Sequence, residues 1–190
     1  VTDIVRIAKQ LGVQAVFTHH DDEPQSLARD AQVLGELANA GIAFHSFKDH
    51  VVFERSEVLT QSGTAYGVFT PYKNAWMKKI TPADMAERST SAKPGQLAPV
   101  PPALRQPIPS LTSMGFQAVD LAALHIYPGS DAAHTLVKDF AKRIAHYEDT
   151  RNFPAIKGPS YLSVHLRFGT VAIRQLARLA YPLAVRGDAG

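Results

Sequence analysis

Apolar residues recur at helical spacing from the start of the chain. Ile4, Ile7, Ala8 and Leu11 share one face of a predicted helix that Thr2 can cap and Gly12 can end. The period then changes. Val13 to Phe17 (VQAVF) is short and β-branched, as a strand requires. After the polar loop HHDDE, a second helix starts near Pro24 with Leu27, Ala31, Leu34 and Ala38 inward, and Gly41 closes it. Ile42 to Phe47 predicts another strand, so residues 13–47 form a strand, helix, strand unit with parallel strands and a right-handed crossover. Such sheets are normally covered on both faces and flanked by further strands. The flanking strands are expected upstream of Val1, and a chain that opens on Val rather than Met, already in a helical pattern, reads as a cut piece.

Further along, Thr70 and Pro71 supply a cap and a first-turn proline for a short helix carrying Trp76, Met77 and Ile80 on its apolar side and ending near Ile80. Six of the thirteen prolines then fall between Pro94 and Pro109 without any hydrophobic period, the composition of an interdomain linker. Beyond it a helix is predicted over Asp131–Tyr147, with Leu136, Phe140, Ile144 and Tyr147 on one face, and another from about Thr170 to Ala180. The order is α/β followed by all-α.

Composition narrows the class. At 190 residues and 45% hydrophobic, the chain can bury a core. It has no cysteine, no basic-then-apolar leader and no apolar run of about eighteen residues, so it is expected to be soluble, cytoplasmic and without membrane contact. Residues 1–60 hold nine acids and five bases, which leaves eight of the 17 acids and fifteen of the 20 bases for residues 61–190. From Arg151 to Arg186 there are six basic residues and no acid, a distribution that suits a phosphate-bearing partner and is also that of solvated helix faces.

Candidate chemistry concentrates late in the chain, in YEDTRNFPAIKGPSYLSVHLRFGTVAIRQL, Tyr147 to Leu176. Gly158 lets the backbone turn, and Ser160 and Ser163 offer hydroxyls and amides at a helix N-terminus, where a phosphate is stabilised. Taken alone, Ser160 reads as an ordinary N-cap and Tyr147 as a core tyrosine. His19, His20, Asp21, Asp22 and Glu23 form a polar cluster, but adjacent ligands on one loop seldom close a coordination sphere, so a solvated loop and no metal are expected. No phosphate-binding Walker loop, nucleophile elbow, HExxH or paired-carboxylate pattern occurs.

The long segment resembles the opening of the FAD-binding domain of the DNA photolyase/cryptochrome family. There a tyrosine precedes an R-x-x-P step and a G-T-S-x-L-S turn, here Tyr147, Arg151, Pro154 and Gly158 through Ser163; the HLRFG and IRQL that follow fit the same pattern. Pro159 stands where the family has threonine, which removes an amide donor and a hydroxyl. Tyr66 to Trp76 (YGVFTPYKNAW) resembles the family's V-F-T-P-F/Y segment, and Phe17 to Val33 resembles the strand, loop and helix that carry R-D, here Arg29 and Asp30.

The resemblance implies residues 1–87 as the C-terminal part of a Rossmann-like parallel-sheet antenna domain, 88–130 as an interdomain linker and 131–190 as the beginning of a helical FAD-binding domain. It implies FAD held by Tyr147, Pro159, Ser160, Tyr161, Leu162 and Ser163, no catalytic residue in this span, and a second antenna chromophore of unspecified identity near the HHDDE loop. Gln25 and Ser26 replace the Asn-Glu of folate-binding members, so a folate antenna is not implied. The implied partner is ultraviolet-damaged DNA, and the complete protein is expected to be a monomer. The implied reaction is light-driven splitting of cyclobutane pyrimidine dimers by electron transfer from reduced FAD, with these 190 residues inactive by themselves. Two alternatives remain open: a cryptochrome-type photoreceptor, or a Rossmann-like nucleotide-binding module without photochemistry.

Overall fold

The computed structural model describes residues 1–88 and 91–187, and they form two compact units, Val1–Ile80 and Thr81–Gly190. Residues 89, 90 and 188–190, which fall in the expected linker and FAD-binding spans, lie outside the described residues.

The first unit is built on helix α1 (Thr2–Leu11), strand β1 (Ala15–His19), helix α2 (Pro24–Asn39) and strand β2 (Ala43–Phe47). β1 and β2 pair in parallel with Ala15 opposite Ala43 and His19 opposite Phe47, as the strand, helix, strand pattern requires. Gly12 ends α1 in the left-handed conformation that glycine adopts without a Cβ penalty. Thr2 is not the cap: Val1 takes that position, and Thr2 is the first helical residue.

The buried faces differ from the sequence expectation. The core joins Val5 and Ala8 of α1 to Val33 and Leu37 of α2, with Val13, Val16, Ile42 and Phe44 packed around them. Ile4 and Leu11 are exposed, and so are Leu27, Ala31, Leu34 and Ala38, the residues expected inward on α2. α2 therefore carries two apolar stripes, and the sheet selects the one that meets both strands and α1. On the sheet, parity separates Val16 and Phe44, which face this core, from Phe17, His45 and Phe47, which stack on the opposite, exposed face with ring centroids 5.1 and 6.2 Å from Phe17.

After β2 the chain buries Val52, Phe53 and Val58 before helix α3 (Phe69–Lys79). Phe53 meets Trp76 edge-on at 5.7 Å and lies under Lys48 and Lys79, whose ammonium groups are 5.6 and 5.3 Å from its centroid. Val68 is the N-cap of α3, so Thr70 and Pro71 occupy its second and third positions rather than acting as cap and first residue. Pro71 is tolerated there because the first-turn amides have no helical partner.

In the second unit, residues 91–130 carry two short 3₁₀ turns, Pro102–Leu104 and Thr112–Met114, and almost all are exposed. Then follow α4 (Ser130–Ala141), a 3₁₀ turn at Ile144–His146, α5 (Tyr147–Thr150), α6 (Ser163–Arg167) and α7 (Ile173–Arg186). The continuous helix expected over Asp131–Tyr147 is thus broken at Arg143, whose φ and ψ of −130° and 0° leave the helical region. α7 runs through Pro182 to Arg186, beyond the expected end at Ala180. Proline at that depth removes one helical hydrogen bond, and the exposed last turns can carry the loss. Ala133, Leu162 and Val171 are the buried centre of this unit, with Leu136, Val137, Leu166 and Leu176 against them.

The choice of face on α2 is directly testable. Leu37→Ala removes a fully buried side chain and is expected to cost about 2–5 kcal/mol, whereas Leu34→Ala on the exposed stripe is expected to cost under about 1 kcal/mol, both read from denaturant midpoints.

Candidate functional site

The turn from Lys157 to Ser163 is shaped by a close backbone approach. A Cβ on Gly158 would lie 2.7 Å from the Thr150 carbonyl oxygen, 2.8 Å from its carbon and 3.0 Å from the Arg151 nitrogen. Only glycine lets the chain return onto the end of α5 at this distance, although its φ is not the left-handed one. The spacing in the sequence therefore marks a steric requirement.

Beyond Gly158, Leu162 inserts into the core at 1% exposure, and Tyr161 beside it takes φ 58°, a left-handed conformation that costs a non-glycine residue about 1–3 kcal/mol. The strain presents the Tyr161 ring outward, half exposed. Ser160 accepts a long hydrogen bond from the Leu162 amide at 3.4 Å, and Ser163, exposed, begins α6. α6 is a single turn of five residues, so its dipole is small and the polar character of this corner comes mainly from the turn. The buried His165 anchors the far end: its Nδ1 pairs with the Thr170 hydroxyl at 2.8 Å while its carbonyl accepts the Thr170 amide.

Tyr147, half-buried, packs edge-on against Phe140 at 5.9 Å with the Arg151 guanidinium over its ring at 5.6 Å. The six sequence-selected residues thus separate into three kinds. Pro159, Ser160, Tyr161 and Ser163 sit together on an accessible turn, Tyr147 stands on α5, and Leu162 offers a ligand only its backbone because its side chain is core.

Three residues not selected from the sequence hold this turn from behind. Asp139 on α4 accepts from Arg143 Nη2 at 3.1 Å and from the Lys157 ammonium at 3.0 Å, and Arg143 Nη1 donates to the carbonyls of Lys157 and Gly158, both at 2.6 Å. Asp139 and Arg143 are four residues apart, an ordinary helical ion-pair spacing, and that was the available signal. What the spacing does not reveal is the reach of Arg143 across fifteen residues to a turn.

Both units have counterparts among known proteins. The DNA photolyase family profile matches residues 1–94. The deoxyribodipyrimidine photo-lyase of Synechococcus sp. is 35% identical over 93% of this chain and 37% of its own length, and that of Escherichia coli is 32% identical over 98% and 39%. The chain belongs to the DNA photolyase family. It spans a little over a third of the length of these relatives. In fold it is similar to a class III photolyase from Agrobacterium tumefaciens, TM-score 0.71 at 21% identity over 97% of this chain and 38% of that one. The cryptochrome of Synechocystis sp. PCC6803 is similar at TM-score 0.70 and 20% identity, over 94% and 38%.

In this photolyase-family chain the HHDDE loop has no buried residue, in keeping with its composition, but side-chain ties order it. His20 Nδ1 donates to the Glu54 carboxylate at 2.8 Å and its Nε2 meets the Ser46 hydroxyl at 3.1 Å, while Arg55 pairs with Asp22. Asp21 accepts from the Glu23 amide and the Ser26 hydroxyl, which hold its carboxyl below the usual carboxylate range. Beside this clasp lies a cleft of about 440 Å³ at the carboxyl end of the strands, with Leu27, Leu34 and Phe44 among its apolar lining and Asp30 and Arg55 among its polar groups. Among the described residues, no three His, Asp or Glu side chains converge as a metal site needs. No described helix is long and apolar enough to cross a membrane.

The basic run from Arg151 to Arg186 is partly spent inside the second unit. Arg174 Nε donates to the Asp84 carbonyl at 3.2 Å, Arg178 donates to the Met85 carbonyl, and Lys157 is held by Asp139.

Two outcomes follow. Gly158→Ala is expected to destabilise the protein by about 1–3 kcal/mol, against a negligible change for Gly67→Ala, which meets open space at ordinary φ; denaturant midpoints compare them. The Lys157 ammonium, then the Arg143 guanidinium, lower the Asp139 pKa, so its contribution to stability is present above the unfolded value of about 3.9 and is lost as pH falls through the lower folded value. Protection of the amides of Lys157, Gly158, Ser160, Tyr161 and Leu162, taken relative to intrinsic exchange at each pH, is expected to fall below about pH 4 in the native protein, and Asp139→Asn should abolish that step.

Proposed function

We propose that the full-length protein containing this segment is an FAD-dependent photolyase that splits cyclobutane pyrimidine dimers in ultraviolet-damaged DNA in blue or near-ultraviolet light. The observation that carries this reading is identity of 32–35%, running over at least 93% of the chain, with proteins named deoxyribodipyrimidine photo-lyase. In this reading residues 1–87 belong to the α/β antenna domain, 88–130 link it to the next, and 131–190 begin the helical FAD-binding domain.

FAD would be held by Tyr147, Pro159, Ser160, Tyr161, Leu162 and Ser163, the diphosphate against the accessible turn. The fit is chemical: the turn offers hydroxyls at Ser160 and Ser163, backbone amides at the start of α6 and an exposed tyrosine ring, with cationic Arg143 and Lys157 behind it. Pro159 withholds one donor from it. Bound FAD supplies the electron, because cofactor and light carry the hard chemistry and the protein supplies binding and orientation. A lesion base flipped from the duplex would be met by groups outside this chain, and a basic surface would hold the phosphates. The cleft beside the HHDDE loop is where we place a second antenna chromophore. A cryptochrome-type photoreceptor is the second reading, favoured by the nearly equal fold similarity to the Synechocystis protein.

The test is made on the full-length protein, by its flavin spectrum and by loss of thymine dimers from irradiated DNA in blue light and in darkness. Bound FAD with light-dependent repair is the expected result. Flavin without repair would select the photoreceptor, and absence of flavin would overturn both.

A further inference from the structure

A turn that receives an anion must present donors and keep its carbonyl oxygens turned away, because a carbonyl dipole facing a phosphate repels it. In the Lys157–Ser163 turn the two carbonyls that precede Pro159, those of Lys157 and Gly158, point to one side and both accept from Arg143 Nη1 at 2.6 Å. Pro159 itself offers no amide, so the orientation of these peptide planes matters more here than in a turn with a full set of donors.

Arg143 is built for this task by its surroundings. Its side chain is four-fifths buried, with Nε and Nη2 on Asp139 Oδ2 at 3.3 and 3.1 Å. Its guanidinium lies over Phe140 at 5.1 Å and Tyr161 at 5.9 Å. The helix breaks at Arg143, where the backbone leaves the helical region as the side chain spans to the turn. A planar fork can bind a carboxylate along one edge and two carbonyls along another; a lysine ammonium, a point charge on a flexible stem, cannot fix both peptide planes.

We infer that Arg143 is a positioning residue for the dinucleotide site: by drawing the Lys157 and Gly158 carbonyls onto its guanidinium, it sets the turn in the form that accepts the diphosphate of FAD. This rests on the proposed flavin site, and it adds a residue outside the turn on which affinity depends. The charge of Arg143 is partly offset by Asp139, while Lys157, also bound to Asp139, leaves the three-residue cluster net positive behind the turn.

The experiment titrates the flavin-free full-length protein with FAD, comparing wild type with Arg143→Ala, Arg143→Gln and Arg143→Lys, and records the visible spectrum of the bound flavin and the melting midpoint without flavin. A tenfold or greater rise in Kd is expected for Ala and Gln, and a several-fold rise for Lys. The bound-flavin spectrum should be unchanged, because the proposed contact of the turn is with the diphosphate. A role confined to folding would lower the flavin-free midpoint and leave the Kd of the folded fraction within twofold, and that result overturns the inference. If Arg143→Ala does not fold, the Gln and Lys variants, which retain the side-chain stem, decide the question. Wild type that binds no FAD takes down the reading of the whole site, whereas wild-type binding with undiminished affinity in Arg143→Lys and Arg143→Gln takes down this inference alone.

Discussion

A guanidinium can satisfy a carboxylate and two backbone carbonyls at once only when all of them lie near its plane, and in this chain that condition organises the surface around residues 157–163. Arg143 meets it with Asp139 on one side and the carbonyls of Lys157 and Gly158 on the other. Gly158 meets a second condition, that no side chain stand between the turn and the Thr150 carbonyl. With both in place Leu162 is driven into the core and Tyr161 is left outside in a left-handed conformation. The strain at Tyr161 persists because its neighbours on both sides are pinned, the usual circumstance in which a protein retains a costly backbone geometry.

The same logic of local order fixed by a few polar ties recurs in the first unit with different groups. There the loop after β1 is joined to residues 54–57 by His20 with Glu54 and by Arg55 with Asp22, and Lys48 meets Glu57 at 2.7 Å. The Lys48 ammonium, then the Glu54 amide, lower the Glu57 pKa. These are partly exposed pairs whose individual energies are small, so their effect is to define loop geometry more than to raise stability. The apolar core beneath, centred on Leu37, carries the larger share of the burial energy.

Legibility in the sequence was uneven, and for identifiable reasons. The two strands and their parallel pairing were readable because short β-branched runs flanking a helix leave few topologies. The inward faces of α1 and α2 were misread because each helix carries apolar residues around more than one side, and Leu27 and Leu34 have as strong a claim on periodicity as Val33 and Leu37. The helix break at Arg143 was invisible because residues 131–147 keep a helical period, and the contact of the Arg143 side chain with residues 157 and 158 lies fourteen and fifteen positions away. The flavin-site candidates were found through family resemblance, and the residues that brace them were not, because a supporting side chain has no motif of its own.

From its own residues the chain determined the order of its elements, the glycine at 158, and the tyrosine and serines of the candidate turn. Those features depend on local stereochemistry and on neighbours a few positions away. Tertiary structure alone decided which stripe of α2 is core, that Leu162 is an anchor and Tyr161 is presented to solvent, and that Arg143 reaches the turn. Each of these is settled by which surfaces meet, and side chains distant in sequence come to share one carboxylate, one cavity or one peptide plane only after the chain has folded.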